Sequence, residues 1–222
     1  MKMFEEHLLS ASIYGGEKRA AEVLACLRPY YPPLHCELHY KTALELLVAT
    51  ILLSQNTAEQ VNALTPALFA AYGDTAAYLQ ARRQDLARRV YPLAFFRHKA
   101  RYIQESCRIL EEHYEGELPR NGYDLTQLPG LSRKGANLIM GELFNEPIGI
   151  AVEIHTQRVA NRLGWSDGRN VVKVENDLLQ TIPPNLWLET GYLLQRHGRA
   201  QCHTHAPACA TCPLNHLCPS RE

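Results

Sequence analysis

The chain has 222 residues, 46% of them apolar and 21% charged, with 23 Lys/Arg balanced by 23 Asp/Glu. That length and composition suit one or two compact domains that bury an ordinary hydrophobic core, and no run of eighteen apolar residues is present to span a membrane. Formal neutrality argues against gripping nucleic acid by bulk charge alone and leaves the local distribution of charge to decide.

In chain order, the opening MKMFEEHLLS carries Glu5 and Glu6 and lacks the apolar segment of a signal peptide, which predicts a reducing cytosol and free thiols. Tyr31-Pro32-Pro33 breaks the chain before TALELLVATILLS, where apolar residues recur at helical spacing from Thr42. Gly73-Asp74 precedes the next helical start at Thr75. Between Arg82 and Arg108 there are eight basic residues, Arg82, Arg83, Arg88, Arg89, Arg97, Lys99, Arg101 and Arg108, against only Asp85 and Glu105. A local basic surface of this kind can contact phosphates, and a solvated helix face reads the same way. The compensating acids Glu111, Glu112, Glu115 and Glu117 follow at the end of RYIQESCRILEEHY, another helical repeat.

After breaks at Gly116 to Pro119 and Asn121-Gly122 comes LPGLSRKGANLIMGELF, starting at Leu128. Asp124 is expected to cap a short helix that stops at Pro129-Gly130. A second helix is predicted from about Arg133, with Ala136, Ile139, Met140 and Leu143 on its buried face. Such a tight Gly-containing hairpin points backbone N–H groups outward at a helix N-terminus, which suits a phosphate without reading a base; an ordinary helical turn has the same pattern. Further breaks at Pro147, Trp165 to Gly168 and Pro183-Pro184 precede the helical NLWLETGYLLQRHG. No segment shows the period-two pattern of a strand. About ten helices joined by short turns predict an all-α protein.

Four of the seven cysteines crowd the C-terminal end, where Cys202, Cys209, Cys212 and Cys218 are separated by six, two and five residues. Without disulfides to form, four thiolates on one short loop indicate a metal site, either zinc or an iron–sulfur cluster. Only Cys209 and Cys212 form the Cys-x-x-Cys of a zinc knuckle, and the wide outer arms fit a larger object such as a cubane. His203, His205 and His216 are alternative ligands or solvent-facing neighbours. Cys26, Cys36 and Cys107 are read as buried or free thiols without a role.

The segments LLVATILLSQNT, LPGLSRKGAN, IAVEIHTQRVANR and QRHGRAQC, followed by the terminal cysteine spacing, together resemble the endonuclease III family of DNA glycosylases over nearly the whole chain. The resemblance implies a helix-hairpin-helix DNA glycosylase fold. It assigns residues 36–147 to a six-helix barrel lobe bearing the hairpin, and residues 1–35 and 148–222 to a second helical lobe with a [4Fe-4S] cluster loop at 202–218. It further implies a cytoplasmic, nucleoid-associated monomer, without membrane attachment, that acts on double-stranded DNA containing damaged bases or abasic sites.

Lys134 matches the family's nucleophile, whose amine attacks C1′ of the deoxyribose, expels the base and leaves an imine. A free amine near neutrality requires moving a lysine from about 10.4 to near 7, roughly 4 to 5 kcal/mol. A helix N-terminus supplies only about 0.3 to 1 kcal/mol of that. Adjacent Arg133 and burial beneath a bound nucleotide are expected to supply the rest. Glu153 stands where the family has aspartate, with His155 and Arg158 following as in family members; by the resemblance these two, with Ser132 and Arg133, are expected to contact DNA. The extra methylene of Glu153 displaces the carboxylate by about an ångström, a misplacement that can lower a rate by about 100-fold. As a residue on its own, Glu153 also reads as a helix N-terminal acid.

Ser132 replaces the family's second hairpin glycine; a left-handed backbone there would cost roughly 1 to 2 kcal/mol. Gly130 remains for close backbone approach to DNA. Gln55 and Phe95 match the residues that fill the gap left by an extruded base, and Arg97 and Lys99 are expected on phosphates. The implied activity is excision of oxidised or damaged pyrimidines with associated abasic-site lyase action. An adenine-mismatch glycosylase, and a catalytically weak lesion binder in view of Glu153 and Ser132, are the alternatives.

Overall fold

The computed structural model describes residues 16–31 and 36–221; the opening MKMFEEHLLS and the Pro32-Pro33 break lie outside the described residues. Among the described residues every regular element is helical. Residues 16–27 form α1. Then follow α2 (Ala43–Leu53), α3 (Ala58–Ala71), α4 (Thr75–Gln80), α5 (Arg83–Arg89), α6 (Phe96–Tyr114), α7 (Gly122–Gln127), α8 (Arg133–Phe144), α9 (Ile154–Arg162), α10 (Val171–Thr181) and α11 (Trp187–Ala200). No helix among the described residues is long and apolar enough to cross a membrane.

The helix starts are written into the sequence as caps. Thr42, Asp74 and Asn170 each accept a first-turn amide through the side chain. Thr57 and Gln60 satisfy each other's backbone N–H in a capping box at the head of α3. Each such cap contributes about 1 kcal/mol. At α7 the cap is Asn121, not Asp124: Asn121 is extended and its Oδ1 accepts from Tyr123 N at 2.8 Å, which places Asp124 inside the first turn. There its carboxylate faces the positive end of the helix dipole instead of capping it.

Contacts divide the chain into two units, Cys36–Ile148 and the combination of Met1–His35 with Gly149–Glu222. In the first, α2 is the central helix, because every residue from Leu46 to Leu52 is buried and no polar face is left to meet water. Val61 and Leu68 of α3, Tyr78 of α4, Leu86 of α5, Ile103 and Leu110 of α6 and Ile139 of α8 close around it. Full burial of each such aliphatic side chain stabilises the unit by about 1.5 to 3 kcal/mol.

In the second unit α1 buries Ala20, Val23, Leu24 and Leu27, spaced as one helical face. They pack with Val159 and Leu163 of α9, Val174 and Leu178 of α10, Leu193 and Leu194 of α11, and Leu214 from the C-terminal loop. Helices α9 and α11 approach closely at Gly198, where an added Cβ would lie 2.8 Å from the Cβ of His155. Arg19 of α1 donates to the carbonyls of Leu163 and Leu217 at 2.8 and 3.2 Å, tying α1 both to the end of α9 and to the cysteine-bearing loop.

Candidate nucleic-acid interface and cysteine centre

The hairpin between α7 and α8 is built around Gly130, whose φ of +82° favours glycine and whose added Cβ would lie 2.7 Å from Cδ2 of Tyr102. Ser106 of α6 donates to Pro129 O at 3.1 Å and holds the hairpin from beneath. Ser132 is extended at φ −79° and ψ 164°, so the expected left-handed strain does not arise. Its hydroxyl instead caps α8 by accepting from Gly135 N at 3.2 Å. Gly135 is buried because a Cβ there would meet Leu131 and Thr50, each at 2.8 Å. That close seat on α2 leaves Arg133 and Lys134 exposed on the first turn of α8.

Two of the four non-glycine left-handed positions described in the same unit bear on this site, the others being Glu115 and Asn145 at helix C-termini. Gln55 (φ 57°) follows α2 and Phe95 (φ 56°) precedes α6, both exposed, Phe95 by 58%. A side-chain-bearing residue in this region costs about 1 to 2 kcal/mol, and strain of that size gathers at functional sites. Asn56 connects the turns: its Nδ2 donates to Leu52 O and Ser54 O, and its Oδ1 accepts from Ala94 N at 2.9 Å. Ile51, Ser54, Phe95, His98, Lys99, Tyr102 and Gly130 line a hollow of about 360 Å³ that reaches from these turns to the hairpin.

Lys99 departs from the expected phosphate contact. It is 3% exposed, and its Nζ donates to Leu52 O at 2.8 Å and Ser54 O at 2.7 Å. Burial pushes its pKa down to about 8. The reason lies in the period of α6, which puts Lys99 on the same inward face as Ala100, Ile103 and Leu110. Arg97 is exposed, with its guanidinium carbon 5.3 Å from the Phe96 ring centre. Part of the basic run is neutralised locally, since Arg88 pairs with Asp85 at 3.1 Å and Arg101 with Glu105 at 3.7 Å.

In the other unit Glu153 is the N-cap of α9. Its Oε1 accepts from the amides of His155 and Thr156 at 3.0 and 2.9 Å and from the Thr156 hydroxyl at 3.3 Å. Arg158, expected on DNA, is engaged within its own unit: Nε donates to Cys202 O at 2.8 Å, and Nη2 reaches Gly198 O at 2.7 Å and His155 Nδ1 at 2.9 Å. That arrangement fastens α9 to α11 and the cysteine loop, so Arg158 is built into the scaffold.

Cys202, Cys209, Cys212 and Cys218 line one cavity, walled by Val159, Leu163 and Leu214. Donors reach two of the sulfurs, Arg162 Nη1 to Cys202 at 3.1 Å and Leu214 N to Cys212 at 3.4 Å, as thiolates require. Burial and the other three cysteines push the Cys212 thiol up. Among the described residues no three His, Cys, Asp or Glu side chains converge as ligands of a single ion. Four cysteines lining one cavity are a donor set that fits an iron–sulfur cluster. Cys36 and Cys107 are buried and pushed up to about 12, as inert core thiols are.

A family model described as the HhH-GPD superfamily base excision DNA repair protein matches residues 48–184. Endonuclease III of Synechocystis is 40% identical over 206 residues, covering 93% of this chain and 94% of that relative. The chain belongs to the endonuclease III family. Endonuclease III of Escherichia coli K12 is 34% identical over 201 residues, 90% of this chain and 95% of the relative. A solved structure of a trapped endonuclease III–DNA covalent intermediate, an estranged-adenine complex, superposes with a TM-score of 0.80 at 36% identity, covering 91% of this chain and 95% of its own. A thermostable thymine-DNA glycosylase, 19% identical with a TM-score of 0.76, shares the fold.

In this endonuclease III family member, Gln55, Phe95, Arg97, Lys99, Gly130, Ser132, Arg133 and Lys134 belong to the unit Cys36–Ile148. Glu153, His155, Arg158 and the four terminal cysteines belong to the other. Sequence reasoning missed Asn56 and Tyr102, although Asn56 stands inside LLVATILLSQNT; an asparagine in the short polar break between two helical runs is the signal that could have found it.

Proposed function

We propose that this chain is a base-excision DNA glycosylase with associated abasic-site lyase activity, removing oxidised or ring-damaged pyrimidines from duplex DNA. The observation that carries the reading is Lys134, exposed on the first turn of α8 directly after the Gly130 hairpin, in a chain of the endonuclease III family. Its amine would attack C1′ as the bond to the base breaks and that electron pair leaves with the base. Opening of the sugar then gives the imine, and loss of a C2′ proton expels the 3′ phosphate. Glu153 would stabilise the positive charge that develops on the sugar or accept the amine's proton.

Gln55 and Phe95 would occupy the space of the extruded nucleotide, Gln55 offering hydrogen bonds to the orphaned base and Phe95 an aromatic wedge. Arg97, Arg133 and the hairpin amides around Gly130 would hold phosphates. Cys202, Cys209, Cys212 and Cys218 would hold a [4Fe-4S] cluster, which fastens the C-terminal loop. Two solved endonuclease III–DNA complexes at 36% identity support DNA as the partner.

Borohydride reduction on abasic-site DNA tests the reading. A covalent complex is expected from the wild type, and Lys134→Gln should abolish it without unfolding the exposed site, while duplex affinity stays within about threefold because the hairpin amides, Arg97 and Arg133 remain to hold phosphates. Parallel loss of trapping and binding would reduce Lys134 to a phosphate contact. Single-turnover excision from duplexes carrying thymine glycol, dihydrouracil, uracil or mismatched adenine then identifies the lesion class.

A further inference from the structure

A lysine inside a protein is ordinarily paired with a carboxylate, since an ammonium removed from water without one is unfavourable. Lys99 has no such partner among the described residues. Its Nζ instead sits on the carbonyls of Leu52 and Ser54. These carbonyls flank the end of α2 just before the left-handed Gln55. The backbone N–H of the same lysine donates to Phe95 O at 3.0 Å, at the second left-handed turn. Asn56 repeats the connection, donating to Leu52 O at 2.8 Å and Ser54 O at 3.0 Å while accepting from Ala94 N. Two exposed side chains held at positive φ are thus braced from behind by one buried cation and one amide.

We propose that Lys99, with Asn56, is a positioning residue that locks the Gln55 and Phe95 turns into one rigid, two-pronged unit for entering the DNA duplex. The proposal rests on the glycosylase reading and deepens it. An apolar side chain of the same length would fill the volume behind the turns equally well, so core packing alone does not call for an amine here. What the amine adds is a fixed separation between two loops that must enter the base stack together. Holding them in advance removes the ordering that would otherwise accompany extrusion of the base. The hollow lined by Phe95, His98, Lys99, Tyr102 and Gly130 adjoins this unit, so a loosened Phe95 has space to move into.

The test uses Lys99→Met in the full-length, cluster-loaded protein. Single-turnover excision of a lesion in a fully paired duplex should fall by about tenfold or more, while borohydride trapping on a preformed abasic site stays within about twofold. 2-Aminopurine placed beside the lesion should brighten on binding wild-type protein and stay quenched with the variant, a readout that needs no chemistry. On a Gln55→Ala/Phe95→Ala background, Lys99→Met should add nothing further, because the prongs it positions are gone. Asn56→Ala, at a partly exposed site, should reproduce the selective loss and serves if Lys99→Met does not fold. Equal losses on paired and abasic substrates, or full additivity with the prong substitutions, would overturn the proposal. Wild-type protein that traps no abasic DNA would sink the glycosylase reading instead, and the 2-aminopurine comparison would still decide the role of Lys99.

Discussion

Glu153 and Thr156 are joined through one atom: Oε1 of Glu153 accepts both the amide and the hydroxyl of Thr156, at 2.9 and 3.3 Å. Aspartate or asparagine is the usual residue at such an N-cap, and the longer glutamate reaches the first turn of α9 by folding back on itself. Oε1 is therefore occupied in capping, while Oε2 makes no hydrogen bond among the described residues. Glu153→Gln keeps an acceptor for the cap and deletes the charge, so excision should fall by about 100-fold with less than about 1 kcal/mol lost in stability. Glu153→Asp caps well and withdraws the carboxylate, and its rate should equal or exceed that of the wild type. Excision indifferent to both substitutions would leave Glu153 a helix cap and nothing more.

Gly130→Ala should damage the hairpin twice over. Its φ of +82° adds about 1 to 2 kcal/mol for any side chain, and the new Cβ would lie 2.7 Å from the Tyr102 ring. We expect a loss of about 1 to 3 kcal/mol in stability and weaker binding to damaged and undamaged duplex alike. Adding Tyr102→Ala should remove the contacts with the ring but leave the Tyr102 Cβ at 2.9 Å and the backbone strain, so recovery should be partial. Complete recovery in the double variant would show that the left-handed backbone is of no consequence.

The long helices were legible because burial imposes a period: α2, α6 and α11 each follow apolar residues at helical spacing, and α8 begins at Arg133, where it was expected. Direction was harder to see than identity. Eight basic residues between Arg82 and Arg108 suggested one surface, yet the turn of α6 sends Lys99 inward and Arg97 outward two residues apart. Backbone dihedrals leave almost no trace in a single sequence, so neither the extended Ser132 nor the left-handed Gln55 and Phe95 could be read from residue type. Glu153 at the head of α9 was legible as a helix N-terminal acid, since its partners His155 and Thr156 are local, whereas the fastening by Arg158 depends on Gly198 of α11 and on Cys202, which only the fold brings near.

Arg97 and Arg158 should part company when substituted. Arg97 is exposed beside Phe96, and Arg97→Glu should lower duplex affinity with or without a lesion, reduce the slope of affinity against salt by about one, and leave melting within about 0.5 kcal/mol. Arg158→Ala removes donors from Cys202 O and Gly198 O and should destabilise its unit by about 1 to 3 kcal/mol. Binding measurements in a salt series, with thermal melts on the same preparations, check both; a reversal of the two patterns would exchange their roles.

Protein purified without oxygen should be brown and carry about four iron and four sulfide per chain, since four cysteines line one cavity. Cys209→Ser or Cys212→Ser should abolish the visible absorption. The loop carrying Leu214 and the Leu217 carbonyl held by Arg19 should then loosen, lowering the melting temperature of its unit. Stoichiometric zinc in place of iron, in carefully reconstituted protein, would reject the cluster.

Lys99 should leave a signature in the pH dependence of stability. Burial lowers its pKa in the folded chain to about 8, against 10.5 for an ordinary lysine. Below pH 8 the folded and unfolded chains both carry the proton, and the unfavourable burial of the ammonium is present in full. Between about pH 8 and 10.5 the unfolded chain binds a proton that the folded chain has released, so stability rises with pH across that window and levels off above it. Lys99→Met has no proton to exchange. The melting midpoint of the wild type minus that of the variant should therefore climb by about 6 to 12 °C from pH 8 to 10.5, since a fall from 10.5 to about 8 corresponds to roughly 3 kcal/mol and each kcal/mol moves the midpoint of a chain this size by about 2 to 4 °C. A difference that stays flat, or falls with rising pH, would mean that the ammonium is not buried as described, and the brace behind Gln55 and Phe95 would lose its cation.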